Sequence, residues 1–198
     1  MLNTWEIDVN LSGQSQSFVA GARLDAAHKD AALAIKAKAG DREAFAGLLE
    51  RNYNFIYRTA FKWCGHQSDA EDVAQDVCVK LATALASFDG RSAFTSWLYR
   101  VTLNVVRDMQ RARSSRDQRH ADFLDVTPPD VPADQEEAAA EGELWRAVRA
   151  LPEKQRDAVL LIYAEELTHA AAAEILNVKE STISWYVHEA RKTLKGLL

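Results

Sequence analysis

Apolar residues return at helical spacing along most of the chain, and the stretch from Arg91 to Arg113 organises the rest. At about 100° per residue, Phe94, Leu98, Val101, Val105 and Met109 share one stripe. Arg100, Asn104, Arg107 and Arg111 share a second stripe, offset by about 130°. One side can sit in a core while the other shows three guanidiniums and an amide to solvent. Upstream, a helix is expected from Asp25 to Gly40. Asp41 reads as the cap of the next, which keeps helical spacing through Phe45, Leu48, Leu49, Asn52, Phe55, Ile56 and Thr59 to Cys64-Gly65. A third, capped by Ser68 or Asp69, lines up Val73, Val77, Leu81 and Leu85. Asp72, Gln75 and Asp76 fall on another of its faces, and acids near its start suit the positive helix end.

Past Arg113 the pattern dissolves. From His120 to Glu143 there are eight acids, no lysine or arginine, and prolines at 128, 129 and 132, which reads as a flexible, acidic, extended linker. Helical pattern resumes at Glu141–Ala150, breaks at Leu151-Pro152, and continues over Glu153–Tyr163. Thr168 can cap a short helix burying Ala171, Ala172 and Ile175, and Asn177 stands where a tight turn wants a left-handed residue. A last helix starts near Lys179 or Ser181, with Ile183, Val187, Ala190 and Leu194 inward. Ser181, Trp185, His188 and Lys192 point outward, with Ser184 at the edge. Short helix, tight turn and second amphipathic helix make a helix-turn-helix pattern. The expected fold is all-α, with two small helical domains at 25–113 and 140–198 joined by a linker at 114–139. Residues 1–24 show no informative pattern, and no run alternates at the strand period.

Charge changes this picture locally. The formal net charge is −5, which excludes a generally basic nucleic-acid coat protein. Between Arg91 and Arg119, however, seven arginines face only Asp108 and Asp117, a local balance of +5. Arginines about 5–6 Å apart along a helix suit a phosphate backbone, because each presents a fixed fork of donors. No apolar run approaches the roughly 18 residues of a membrane span, and no export signal opens the chain, so a cytoplasmic protein without membrane insertion is expected. Cys64 and Cys78 make no disulfide framework. Cys64-Gly65-His66 with Cys78 offers at most three soft ligands, and Cys78 between Val77 and Val79 reads as a buried structural thiol. No metal or cofactor is expected. Without a glycine-rich phosphate loop, nucleophile motif or clustered acid–base pair, the chain does not read as an enzyme. A repressor would account for the second domain but not for the acidic face at Glu71–Asp76 or the Ser87-Phe88-Asp89-Gly90 turn.

DAEDVAQDVCVKLATAL, SFDGRSAFTSWLYRVTLNVVRD and LPEKQRDAVLLIYAEELTHAAAAEILNVKESTISWYVHEARKTL, in this order, resemble bacterial extracytoplasmic-function sigma factors of the sigma-70 family (group 4). The resemblance covers about residues 30–112 and 140–197. It implies a dissociable RNA polymerase subunit that docks on the core enzyme's clamp coiled coil and flap, holds the melted −10 strand and reads the −35 duplex of promoter DNA. An anti-sigma factor is expected as restraint, and the acidic linker is expected to thread the polymerase's nucleic-acid channels. The polymerase contact then falls on Glu71, Asp72, Gln75 and Asp76, with Val79 and Leu81 nearby. The −10 contact falls on Phe88, Arg91, Ser92, Arg100, Asn104, Arg107 and Arg111, with Phe88 stacking a flipped base and Asn104 pairing its edge. A core plug remains the alternative for Phe88 and is the favoured reading for Trp97. The −35 contact falls on Lys179, Ser181, Thr182, Ser184, Trp185, His188, Arg191 and Lys192. There the chain departs from the family's G-T-V-K/R-S-R: Ser181-Thr182-Ile183-Ser184-Trp185-Tyr186 lacks two arginines, so the −35 sequence does not follow from relatives. Trp185 either meets DNA or anchors an inhibitory protein.

Overall fold

The computed structural model of the chain describes residues 29–121 and 136–196, and every regular element among them is helical. Helix α1 covers 29–38. Asp41 accepts from the Ala44 amide at 3.0 Å and so starts α2, Arg42–Cys64. Gly65 closes α2 in the left-handed region at φ 76°, its amide donating to the Phe61 carbonyl. That reversal leaves His66 extended, and α3 begins at once, spanning Gln67–Ala84. The sequence led to Ser68 or Asp69 as its cap; His66 holds that position instead, and both residues lie in the first turn. After a single tight turn at Leu85–Ser87, α4 runs over Phe94–Ala121. Leu48, Ile56 and Trp63 of α2, Val73, Val77 and Leu81 of α3, and Leu98 and Val106 of α4 fill the core between these three helices.

The expected linker is helical at both ends. Helix α4 continues past Arg113 because nothing in Ser114–Ala121 breaks a helix, and the first proline comes only at 128. Helix α5, Glu136–Ala150, starts before Glu141, with two acids in its first turn and three alanines after them. The middle of the linker, 122–135, and the N-terminal extension lie outside the described residues.

Helix α6, Glu153–Val159, widens into a π-helical turn at Leu160–Ala164. Helix α7, His169–Leu176, is capped by Thr168, and Asn177 reverses the chain at φ 52°, ψ 50°. Helix α8, Glu180–Leu194, follows. Ile175, Ile183, Val187 and Ala190 join Val159, Leu160 and Leu161 in the second core. The two halves do not stand apart: the π turn packs against α2 and α7 against α4, and Asp157 of α6 bonds Trp63 of α2 and Arg107 of α4. One hydrophobic cluster runs through both.

Candidate nucleic-acid interface

On α4 the inner stripe is as expected at Phe94, Leu98 and Val105, while Val101 and Met109 are half-buried. Trp97, Tyr99, Thr102, Leu103 and Val106 are buried as well: Trp97 packs on Phe88 and Phe94, while Tyr99 and Leu103 face the second domain. The arginine stripe runs along that contact. Arg100 donates from Nη2 to Ser92 Oγ at 2.9 Å, and its buried Nε has no partner. Arg107 donates to Asp157 Oδ2 from Nη2 at 2.6 Å and from Nε at 3.1 Å, and stands 3.2 Å from Glu153 Oε1. Arg111 meets Glu153 Oε2 at 3.5 Å. A cavity of about 210 Å³ opens beside the α4–α7 contact, lined by Arg100, Leu103, Asn104 and Arg107 and by Ile175, Leu176 and Asn177. Arg107, expected to face solvent, is thus paired with the other domain.

Phe88 is 3% exposed. Its ring meets Phe94 and Trp97 at centroid distances of 5.5 and 5.4 Å, and Lys38 Nζ donates to its carbonyl at 2.9 Å. This is the core-plug arrangement: a ring closed in by two aromatics has no free face for a base. Beside it the loop is solvent-facing. The Arg91 amide donates to Asp89 Oδ1 at 3.0 Å, Arg91 projects outward, and Ser92 is half-buried.

On α3, Asp72, Gln75 and Asp76 are exposed and Glu71 is half-buried, accepting from Gln67 Nε2 at 2.8 Å. Val79 is 75% exposed beside them. Leu81, grouped with that face by the resemblance, is 1% exposed and belongs to the core. Its stripe with Val73 and Val77 decides its direction, and it is not a surface contact.

Helix α8 has the phase the sequence predicts. Ser181, Ser184, Trp185, His188 and Lys192 are exposed, Lys179 precedes the helix as its cap residue, and Thr182 is half-buried. Trp185 is 56% exposed, resting at 5.3 Å on the ring of the buried Tyr186. Arg191 hydrogen-bonds the Tyr163 hydroxyl and lies 5.6 Å above a ring centroid, so Tyr163 holds it in place.

Sequence reasoning passed over Asp157, whose side chain is wholly buried. Its Oδ1 accepts from Trp63 Nε1 at 2.8 Å and stands 3.4 Å from Arg156, while Oδ2 takes Arg107. A carboxylate immediately before the apolar run Ala158–Leu161 is the signal that was available, since a buried charge demands partners. Lys62 and Glu165 form a second clasp. Lys62 Nζ donates to the Ala164 carbonyl at 2.6 Å and lies 3.2 Å from Glu165 Oε1, and Tyr99 donates to Glu165 Oε2 at 2.8 Å. Cys64 sits nearby. Burial, helped by Asp69, pushes its thiol up to about 11, against the opposing charge of Arg156. Burial raises the Cys78 thiol also.

The chain matches the family models Sigma-70 region 2 over residues 48–116 and Sigma-70, region 4 over residues 141–194. It is 34% identical over 170 residues to the ECF RNA polymerase sigma factor SigM of Mycobacterium tuberculosis (strain ATCC 25618 / H37Rv), covering 85% of this chain and 84% of that protein. The chain belongs to the ECF sigma factors of the sigma-70 family. This sigma factor directs promoter-specific transcription initiation, with core RNA polymerase and promoter DNA as its partners. Solved structures of sigma factors resemble it as well. CnrH in complex with the cytosolic domain of CnrY has a TM-score of 0.61 at 25% identity, over 85% of this chain and 96% of that one. RpoE in complex with the anti-sigma factor NepR from Bartonella quintana has 0.59 at 25% identity, over 77% and 95%. No helix among the described residues is long and apolar enough to cross a membrane.

Proposed function

We propose that this sigma factor grips core polymerase through Glu71, Asp72, Gln75, Asp76 and Val79 of α3. The observation that carries this is Val79, an apolar side chain left bare among exposed acids. A partner that covers it gains the burial of a valine, about 1.5–3 kcal/mol, while basic residues on that partner answer the acids. In the assembled holoenzyme, Arg91, Ser92, Arg100, Arg107 and Arg111 hold the phosphates of the −10 strand and Asn104 pairs with a base edge. Phe88 supports that site from the core beneath the Ser87–Gly90 turn. The exposed face of α8, with Lys179, Ser181, Thr182, Ser184, Trp185, His188, Arg191 and Lys192, enters the −35 major groove. The chain carries out no reaction itself: it acts in the cytoplasm, where polymerase does the chemistry. An anti-sigma factor restrains it, by analogy with RpoE, which is bound by one.

Reversing charge at Asp72 and Asp76 together, to lysine, tests the docking face. Assembly with core polymerase, followed by native gel shift, should be lost while circular dichroism stays unchanged. Undiminished assembly would remove the assignment, and an unaltered chain that never co-purifies with core polymerase would favour the repressor reading.

A further inference from the structure

We propose that the groove between α1 and the first half of α2 seats the chain's own N-terminal extension, with Trp5, Ile7, Val9 and Leu11 on its apolar floor and Glu6 and Asp8 at its cationic rim. The groove encloses about 290 Å³ and is lined by Lys29, Ala32, Leu33 and Lys36 of α1 and by Arg51 of α2. The four α1 positions share one side of the helix, since residues three, four and seven apart stack along it. Ala32 is exposed and Leu33 half-buried, and Ile35, 61% exposed, continues the apolar strip beside Ala32. Three cations border this surface. Among the described residues only Arg51 of the three has an acidic partner, its Nε meeting Asp30 Oδ1 at 2.7 Å.

Position and charge select this occupant. The extension joins α1 at Lys29, which is itself a wall of the groove. Between Trp5 and Leu11 it carries four apolar side chains and two acids, and no lysine or arginine precedes Arg23. Covering the floor contributes about 25 cal/mol per Å² of apolar surface, while opposite charges at the rim fix which way the segment lies. The stretch from Ser12 to His28 can span up to about 3.5 Å per residue, several times the length of α1 at about 1.5 Å per residue. Trp5 to Leu11 therefore reaches every part of the groove. A segment on the same chain meets its seat at an effective concentration of about a millimolar, so a contact too weak to hold a separate peptide forms within the chain. The acidic stretch after α4 is poorly placed by comparison. Arg113 of α4 pairs with Asp69 at 2.9 Å, just past the end of α2 at Cys64. Arg51 lies about 20 Å back along α2 from that end, at about 1.5 Å per residue.

Hydrogen–deuterium exchange of the full chain, read by mass spectrometry, tests the contact without polymerase or DNA. The amides from Trp5 to Leu11 should exchange about tenfold more slowly than in a synthetic peptide of the same sequence. Glu6→Lys with Asp8→Lys should abolish that protection, and so should Lys29→Glu with Lys36→Glu. All four changes together should restore it to within about threefold, because the charges are then exchanged across the same contact. Exchange within α1 reports whether the groove variants still fold. If they do not, the Glu6→Lys, Asp8→Lys chain and Trp5→Ser, which alter the extension alone, decide by losing the protection or keeping it. Unprotected amides in the unaltered chain overturn the proposal, as does protection that survives the changes in the extension. Loss with both pairs of changes and no recovery in the fourfold variant overturns the pairing of acids with this rim. Protection that fades on dilution would put the extension in the groove of a second copy and overturns the contact within one chain.

Discussion

Helices α4 and α8 begin as equals in the sequence, each with an apolar stripe and an opposite face suited to nucleic acid. In the folded chain they part. Helix α8 buries Ile183, Val187 and Ala190 and leaves Trp185, His188 and Lys192 free. Helix α4 buries its stripe too, yet its arginine face lies under the second domain. The Arg107 side chain is 21% exposed, against 66% for Arg111 one turn on. The difference teaches that a helical wheel gives the phase of a face and not its occupant. Helix α8 is the last described element, and its outer face is left to partners. Helix α4 crosses the centre of the molecule, where any face with the right charges can be taken by the chain itself.

The inward sides should prove alike. Leu98→Ala on α4 and Ile183→Ala on α8 each remove a fully buried side chain, and each should cost about 2–5 kcal/mol in chemical denaturation. A loss below about 1 kcal/mol at either site would show that helix to be out of phase with its core.

The outward sides should differ. Trp185→Ala should leave stability within about 0.5 kcal/mol and cost about 1–3 kcal/mol in specific −35 binding, with a thymine methyl facing the indole. The rival outcome is normal transcription with escape from the anti-sigma factor, which makes Trp185 that partner's anchor. A large drop in melting temperature with both binding activities intact would put Trp185 in the core.

For α4, promoter titrations of the holoenzyme against salt separate positioning from reading. Arg100→Ala, Arg107→Ala and Arg111→Ala should each lower the salt slope by about one unit. Asn104→Ala should instead relax preference at one −10 base and leave the slope unchanged. Exchanged behaviour would mean the roles along the stripe are reversed.

The smallest effect concerns the thiol under the second domain. With its pKa raised from 9.0 to about 11, Cys64 keeps its proton in the folded chain at pH values where the unfolded chain has lost it. The folded state binds more protons there, so this contribution is fully present below pH 9 and declines as pH rises toward 11. Cys64→Ala should flatten that decline in melting temperature between those limits. Identical slopes with and without the thiol would show that the folded chain does not bury it.

Helix content, the caps at Asp41 and Thr168, the left-handed turn at Asn177 and the inward set on α8 were legible because each depends on residues within a few positions of one another. So was the acidic face of α3. Leu81 was misread because resemblance grouped it with that face, although its own spacing with Val73 and Val77 pointed inward. Phe88 could not be settled locally, since only the meeting of Lys38, Phe94 and Trp97 around it makes it core.

What the sequence by itself determined, then, is the phase of α4 and α8 and the family, both carried by short-range spacing and by motifs in order. What only the tertiary structure decided is which partner each face takes. Arg107 meets Asp157 across 50 positions and Trp63 meets it across 94, and a buried carboxylate chooses its donors in space, where periodicity carries no information.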